Sequence, residues 1–367
     1  MIIVEFIPQL GTGGAERFTI DLCNKLSEEN NVYLLVSHDL AKFGHYTKEI
    51  SDKVHVVSFN KKNGFDISLF LKVYKAIKKI KPDVVHTHLM SIVYITLCCI
   101  LYRVPKYFHT IHNSAEKESD GKIGYLFRKL LFKTKLVKPI TISNESKQSF
   151  VQYYGMDAPV ILNGRDIPEK IEISDTVRKE IKSYKFTDKT KIIVQLAHVG
   201  YQKRQDVMAK VVKRLVEEGY DLCVLMIGAH DEPSMVEYIN SLSCDRIHML
   251  GVKSNPLEYL SVADAFGLTS SYEGLPISLI EAMGISIIPI CTPVGGIKDI
   301  IKNGINGFMS ETIKAEDYYV ALKRYLMLTD KEISEMKYRI KDTYSLLTME
   351  KCAHNYLNIF NHGENVR

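Results

Sequence analysis

Short runs of β-branched and apolar residues alternate along the chain with longer stretches whose apolar positions recur at helical spacing. Segments 2–8, 31–37, 54–59, 84–88, 107–111 and 139–143 read as strands, with helix-length pieces between them. Successive strand and helix patterns of this kind are the grammar of βαβ units, hence of a parallel sheet. The pattern lapses over 163–191, where Asn163-Gly164, Pro168 and a charge-rich stretch follow one another without a clean strand. It restarts with strand patterns at 191–197, 222–227, 247–250, 265–269 and 287–291. Two doubly wound α/β domains are expected, with ligands beyond the carboxyl ends of the strands and a cleft where the two sheets face each other. No internal repeat or low-complexity segment interrupts this reading.

Composition narrows the class without changing the fold. The 367 residues, 46% hydrophobic and 25% charged, match a globular chain of about two domains, not a disordered one or a small disulfide scaffold. Seven cysteines without a CxxC pair read as reduced thiols and frame no zinc site. The first ten residues contain Glu5 and no basic segment, so they read as a buried strand and not as a signal peptide, and a cytoplasmic location is expected. The longest apolar stretch, 89–102, is 14 residues, short of the roughly 20 that a spanning helix needs.

Charge is uneven. Residues 1–170 hold 24 basic against 17 acidic side chains, and the remainder 24 against 26. Arg128, Lys129, Lys133, Lys135 and Lys138 are interleaved with Leu126, Phe127, Leu130, Leu131 and Phe132. Two readings fit: a basic amphipathic helix lying peripherally on an anionic membrane, or a solvated helix face packed on the sheet.

The sharpest chemical signal runs from Ser270 to Met283, Ser-Ser-Tyr-Glu-Gly-Leu-Pro-Ile-Ser-Leu-Ile-Glu-Ala-Met. Pro276 suits the first position of a helix, which places Glu273 in the turn before it and Glu281 on it. Backbone amides from Gly274 through Leu275 to Ile277, together with the helix dipole, favour a phosphate there. Each carboxylate can accept from two neighbouring hydroxyls, as a sugar or ribose diol presents them. A ligand offering diol, diphosphate and diol is a nucleotide sugar. The glycine loop Gly11-Thr12-Gly13-Gly14 is no dinucleotide fingerprint, because its third glycine position is Glu16, but Gly13 and Gly14 still permit close approach to a donor phosphate or sugar. His86 and His88 point the same way from one strand. With no third ligand evident nearby, no metal is expected.

The block Ala263-Asp264, Ser271-Tyr272-Glu273-Gly274-Leu275-Pro276, Glu281-Ala282-Met283, Val294-Gly295-Gly296 and Asn303-Gly304-Ile305-Asn306-Gly307-Phe308 resembles the retaining glycosyltransferases of family 4, which have the GT-B fold. The resemblance extends through Gly11 to Arg17, Pro82 to His88 and Asn163-Gly164-Arg165-Asp166. It implies a donor domain over 171–347, an acceptor domain over 1–170 and a last segment, 348–367, that crosses back as a helix. Glu273 then holds donor-sugar hydroxyls and Glu281 the ribose, while Gly274 and Leu275 meet the phosphate. Lys203 matches the lysine that clamps the diphosphate, but the family's arginine is replaced by His198. Either the diphosphate holds His198 protonated, or Arg204 substitutes, or His198 is a neutral donor. His112 occupies the family's T-x-H position near the donor sugar, followed by Asn113 on the acceptor side. Arg17 meets an acidic acceptor or forms a surface ion pair.

The resemblance implies transfer of a sugar, of hexosyl type, from a nucleoside diphosphate donor to a hydroxyl acceptor with retention. No metal or other cofactor is implied, and no nucleic acid. The basic first half suits a glycan or lipid-linked glycan acceptor of capsular, lipopolysaccharide or other envelope polysaccharide synthesis. A nucleotide-sugar epimerase of the same fold and a non-catalytic nucleotide-sugar-binding protein remain the alternatives.

Overall fold

The computed structural model describes all residues except 62–63, 103–104, 120 and 363–367, and leaves the side chain of Phe43 aside. The chain forms two compact units, Met1–Arg165 with Leu347–Arg367, and Asp166–Leu346. The divisions fall up to five residues before the expected boundaries at 170 and 347.

The first unit contains β1 (Ile2–Ile7), β2 (Asn31–His38), β3 (Val54–Lys61), β4 (Val84–His88), β5 (Lys106–Ile111) and β6 (Lys138–Thr141), in the order β3-β2-β1-β4-β5-β6. All pairs in it are parallel. The second unit contains β7 (Lys191–Leu196), β8 (Leu222–Ile227), β9 (Ile247–Gly251), β10 (Ala265–Leu268), β11 (Ile288–Cys291) and β12 (Phe308–Met309), in the order β12-β11-β10-β7-β8-β9. Its pairs are parallel as well. The strand patterns are near-continuous and apolar because helices cover both faces. All six residues of β8, for example, are buried.

This topology dictates where chemistry can sit. Consecutive connections leave β1 toward β2 on one side and return to β4 on the other. β7 is flanked in the same way by β8 and β10. The crevices beyond β1/β4 and β7/β10 are therefore the switch points at which doubly wound sheets hold ligands.

Several expectations are revised. β12 was not anticipated, because two residues carry no periodicity. β6 stops at Thr141 because Ser143 is the N-cap of the helix Asn144–Tyr154, its hydroxyl accepting from the Ser146 amide. The lapse in the pattern contains the helix Asp175–Tyr184, capped by Ser174 and buried through Val177 and Ile181. The basic run is not one helix: the helix Gly121–Lys133 ends before Lys135, which has φ 55°, and Lys138 begins β6. Arg128, read as a surface cation, is almost fully buried.

The last helix, Met349–His362, packs its Met349, Cys352, Ala353, Tyr356, Ile359 and Phe360 into the first unit. Lys106 donates to its final carbonyls at Phe360 and Asn361. Residues 363–367 of the expected crossing segment lie outside the described residues. Among the described residues no helix is long and apolar enough to cross a membrane.

Candidate active site

The loops that follow β7 and β10 meet at the switch point of the second unit. The Thr269 hydroxyl donates to the carbonyls of Lys203, at 3.0 Å, and Arg204, at 2.8 Å, and accepts from the Gln195 amide at 3.1 Å. Gln202 accepts at its carbonyl from the Ser271 amide, and its side chain donates to the Tyr272 carbonyl. These bonds fix Lys203 beside Glu273, with Nζ 2.6 Å from Oε1. The Ser270 hydroxyl donates to the same oxygen at 2.6 Å. Side-chain exposure of Lys203 and Glu273 is only 15% and 6%, so the pair is shielded from water yet reachable. Glu273 Oε2 has no hydrogen-bond partner among the described residues and is open to a hydroxyl.

The turn carrying Glu273 is pressed from the other side by Val294-Gly295-Gly296. Gly295 has φ +56°, and a Cβ there would lie 2.2 Å from the Glu273 carbonyl oxygen, so only glycine fits. The Gly296 amide donates to the Gly274 carbonyl. Leu275 and Pro276 lead into the helix Ile277–Gly284, for which Pro276 is the N-cap and not the first residue, and no side chain caps this end. Glu281 lies buried on the helix.

Two further residues lie near Lys203. Arg204 has φ 51° at the N-cap of the helix Gln205–Glu217, and its guanidinium is engaged by Asp206 at 2.9 and 3.2 Å. His198 is half exposed, with Nδ1 3.3 Å from Asp231. Burial, and then the positive charge of Lys203, lower its pKa, so its neutral form is favoured here.

In the first unit the glycine loop ends at Gly13, the N-cap of the helix Gly14–Leu26. The carboxylate of Glu16 folds back against Gly13, and burial raises its pKa. Arg17 follows the ion-pair reading. It bonds Asp21 at 3.0 Å and Glu49, and lies over the Tyr46 ring, so its donors are committed within the protein. Asn113 uses its side-chain oxygen to accept from the Ser114 amide.

The expectation that His86 and His88 lack a third polar partner is corrected. Register places Glu5 of β1 opposite His86 of β4, and Glu5 Oε2 lies 2.8 Å from both His86 Nδ1 and His88 Nε2. All three are fully buried, and one ligand-type atom from each falls within 4.8 Å of the others. Of the two contacts only the one to His88 Nε2 is a hydrogen bond, and His86 Nδ1 has no hydrogen-bond partner among the described residues. His88 Nδ1 in turn lies 2.8 Å from Nε2 of His112. Burial lowers the His112 pKa to about 3, keeping its ring neutral.

The opposite face of β4 and β5 holds a second buried cluster. Arg128 Nη1 is 3.0 Å from His109 Nε2 and 3.6 Å from Glu118 Oε2. Glu118 Oε1 accepts from the amides of His112 and Asn113. Burial raises the Glu118 pKa to about 7, with Arg128 opposing.

Sequence reasoning missed Ser270, Gln202, Glu5 and Glu118. The readable signals are the serine preceding the acid and, for Glu5, a lone acid inside an otherwise apolar run; Glu118, in the polar stretch 113–119, carries no such signal.

The family described as Glycosyl transferases group 1 matches residues 176–342, and that described as Glycosyltransferase Family 4 matches residues 12–168. An Escherichia coli UDP-Gal:alpha-D-GlcNAc-diphosphoundecaprenol alpha-1,3-galactosyltransferase is 23% identical over 71% of this chain and 70% of its own length. The O-antigen biosynthesis glycosyltransferase WbnH of Escherichia coli is 25% identical over 84% and 85%. Among solved structures, Anabaena Alr3699/HepE in complex with UDP and glucose superposes with a TM-score of 0.82 at 16% identity, covering 98% of this chain and 99% of that one.

Proposed function

Since the chain belongs to the group 1, family 4 glycosyltransferases with the GT-B fold, we propose that it transfers a hexosyl group with retention from a nucleoside diphosphate sugar to a lipid-linked glycan. The epimerase and non-catalytic readings find no support among the matches. The observation that carries the proposal is the Lys203–Glu273 pair at the β7/β10 switch point, a shielded cation and carboxylate beside an uncapped helix start.

In this reading the helix start and Lys203 take the diphosphate, Glu273 Oε2 accepts from donor-sugar hydroxyls and Glu281 from the ribose. The acceptor oxygen bonds to the anomeric carbon on the face from which the phosphate leaves. The bond from that carbon to the phosphate oxygen breaks, and the departing oxygen takes the acceptor's proton. Charge accumulating on the diphosphate is what Lys203 and the backbone amides stabilise. No step assigns a proton to a protein base, and no metal is invoked. UDP is the first nucleotide to try, because the galactosyltransferase relative is named for UDP-Gal and HepE binds UDP.

Thermal unfolding with UDP, GDP, ADP and dTDP tests the donor half. One nucleotide at 100 times its dissociation constant is expected to stabilise the protein by about 2.7 kcal/mol, and sugar transfer should require the matching donor. Uniformly unmoved transitions would count against the proposal.

A lipid-linked acceptor requires access to a membrane surface. The helix Gly121–Lys133 exposes Ile123, Leu126 and Leu130 at 85%, 63% and 61%, along one face, beside exposed Lys122, Lys133 and Lys135. This matches the composition of an interfacial helix, although Arg128 takes no part. Sedimentation with phosphatidylglycerol vesicles is expected to capture the protein at low salt. The Ile123→Glu/Leu126→Glu/Leu130→Glu variant should stay in the supernatant, and equal capture of both proteins would remove the membrane element.

A further inference from the structure

One face of the first sheet carries a carboxylate in the middle of its core. Glu5 of β1 stands opposite His86 of β4, and His88 follows two residues on, so the three side chains share that face. All three are fully buried. Tyr356 and Phe360 pack on the His86 ring at centroid distances of 5.1 and 5.5 Å, and Phe18 on that of His88 at 6.2 Å. A carboxylate is rarely left in such surroundings without a cation or a full set of donors.

Hydrogen bonds do not complete the cluster. His88 Nε2 meets Glu5 Oε2 at 2.8 Å, but Glu5 Oε1 and His86 Nδ1 have no hydrogen-bond partner among the described residues. His86 Nδ1 nevertheless sits 2.8 Å from Oε2. If that nitrogen carries a proton, an N–H is stranded in the core; if it does not, a bare lone pair faces a carboxylate oxygen. Either arrangement is costly where water has no access. A cation removes the cost of the second. One ligand-type atom from each of the three residues already lies within 4.8 Å of the others. The remaining ring nitrogens are held as those of ligating histidines usually are: His86 Nε2 is 2.7 Å from the Thr110 hydroxyl, and His88 Nδ1 is 2.8 Å from His112 Nε2.

We propose that Glu5, His86 and His88 form a closed zinc site that ties β1 to β4. Two imidazoles and a glutamate are a zinc donor set, and the second carboxylate oxygen, otherwise unpartnered, supplies a fourth donor without water. Donors around tetrahedral zinc stand about 3.3 Å apart, so the two 2.8 Å contacts open by about half an ångström on binding. Burial lowers both histidine pKa values to about 3, and the rings ligate without first losing a proton. Because every ligand is buried, the ion enters as the chain folds and exchanges slowly afterwards. Its role is structural, and nothing in it rests on the glycosyltransferase reading.

The test is the zinc content of the full-length protein, made in zinc-supplemented medium, purified without a metal-affinity tag and passed into metal-free buffer. Plasma mass spectrometry is expected to find one zinc per chain. X-ray absorption should show imidazole nitrogen and carboxylate oxygen at about 2.0–2.2 Å and no sulfur. Glu5→Gln and His86→Gln should each hold at least tenfold less zinc. Wild type made in zinc-depleted medium should unfold several degrees below the loaded protein, whereas Glu5→Gln made in the two media should not differ.

Anything other than one zinc per wild-type chain, sulfur in the coordination shell, or a full equivalent retained by both variants overturns the proposal. Should the variants not fold, the content and absorption spectrum of the wild type decide it. Failure to transfer sugar from any donor would sink the function proposed above and leave the zinc result standing.

Discussion

Replacing Lys203 with Met is expected to lower sugar transfer by a factor of about a hundred to a thousand, the usual loss when one preorganised charge aimed at a leaving group is removed. Two effects act together. The departing diphosphate loses a cation whose charge is worth more in a shielded site than in water. Glu273, only 6% exposed, also loses its counter-ion and keeps the Ser270 hydroxyl as its remaining donor, so its carboxylate is held less firmly toward the sugar hydroxyls. Because one pair is broken either way, Lys203→Met and Glu273→Gln should not multiply. The double variant is expected to transfer at about the rate of the slower single one. Turnover at saturating donor, with unfolding transitions recorded for all four proteins, measures this. Independent, multiplicative losses would mean that the two side chains do not form one functional unit. Lys203→Arg should recover part of the rate, since it restores charge but not the compact ammonium that fits 2.6 Å from Oε1.

Much of this site is legible in the sequence because its parts are local. Glu273, Gly274 and Pro276 lie within four residues, and a strand end, a glycine turn and a helix start can be read from consecutive letters. The sheets were legible because burial on both faces writes strands as unbroken apolar runs. What was not legible depends on register and on third-dimension neighbours. Nothing in 2–8 or 84–88 says that β1 lies beside β4 with Glu5 opposite His86, so a buried carboxylate between two histidines was read as an absent partner. Arg128 shows the same limit from the opposite side. Its neighbours Lys129 and Lys133 suggest a solvated stripe, but helical spacing turns Arg128 toward the sheet with Leu131 and Phe132, where Glu118 and His109 receive it.

That burial makes Arg128→Ala the substitution with the largest expected effect on stability. Arg128 is the largest of the fully buried side chains. Removing it opens a cavity, takes from His109 Nε2 its Arg128 donor, and strips Glu118 of its only cation within 4 Å among the described residues. Breaking a buried pair from one side costs about 3–5 kcal/mol. The penalty should depend on pH with a definite sign. In the folded protein burial already lifts the Glu118 pKa to about 7, against an ordinary value of 4.5, so the folded state binds more protons than the unfolded chain between those values. Stability from this group is therefore highest at low pH and declines as pH rises through that window. Without Arg128 the folded pKa rises further and the decline continues to higher pH. Urea unfolding of Arg128→Ala is expected to show a deficit that widens from pH 5.5 to pH 8, and Arg128→Ala/Glu118→Gln should make it flat. A deficit of equal size at both pH values would show that the lost arginine was filling space and not holding Glu118. Since Glu118 accepts from the amides of His112 and Asn113, those two amides should exchange faster in Arg128→Ala at pH 8 than the neighbouring β5 amides do. The buried charge is thereby tied to the histidine presented at the end of that strand.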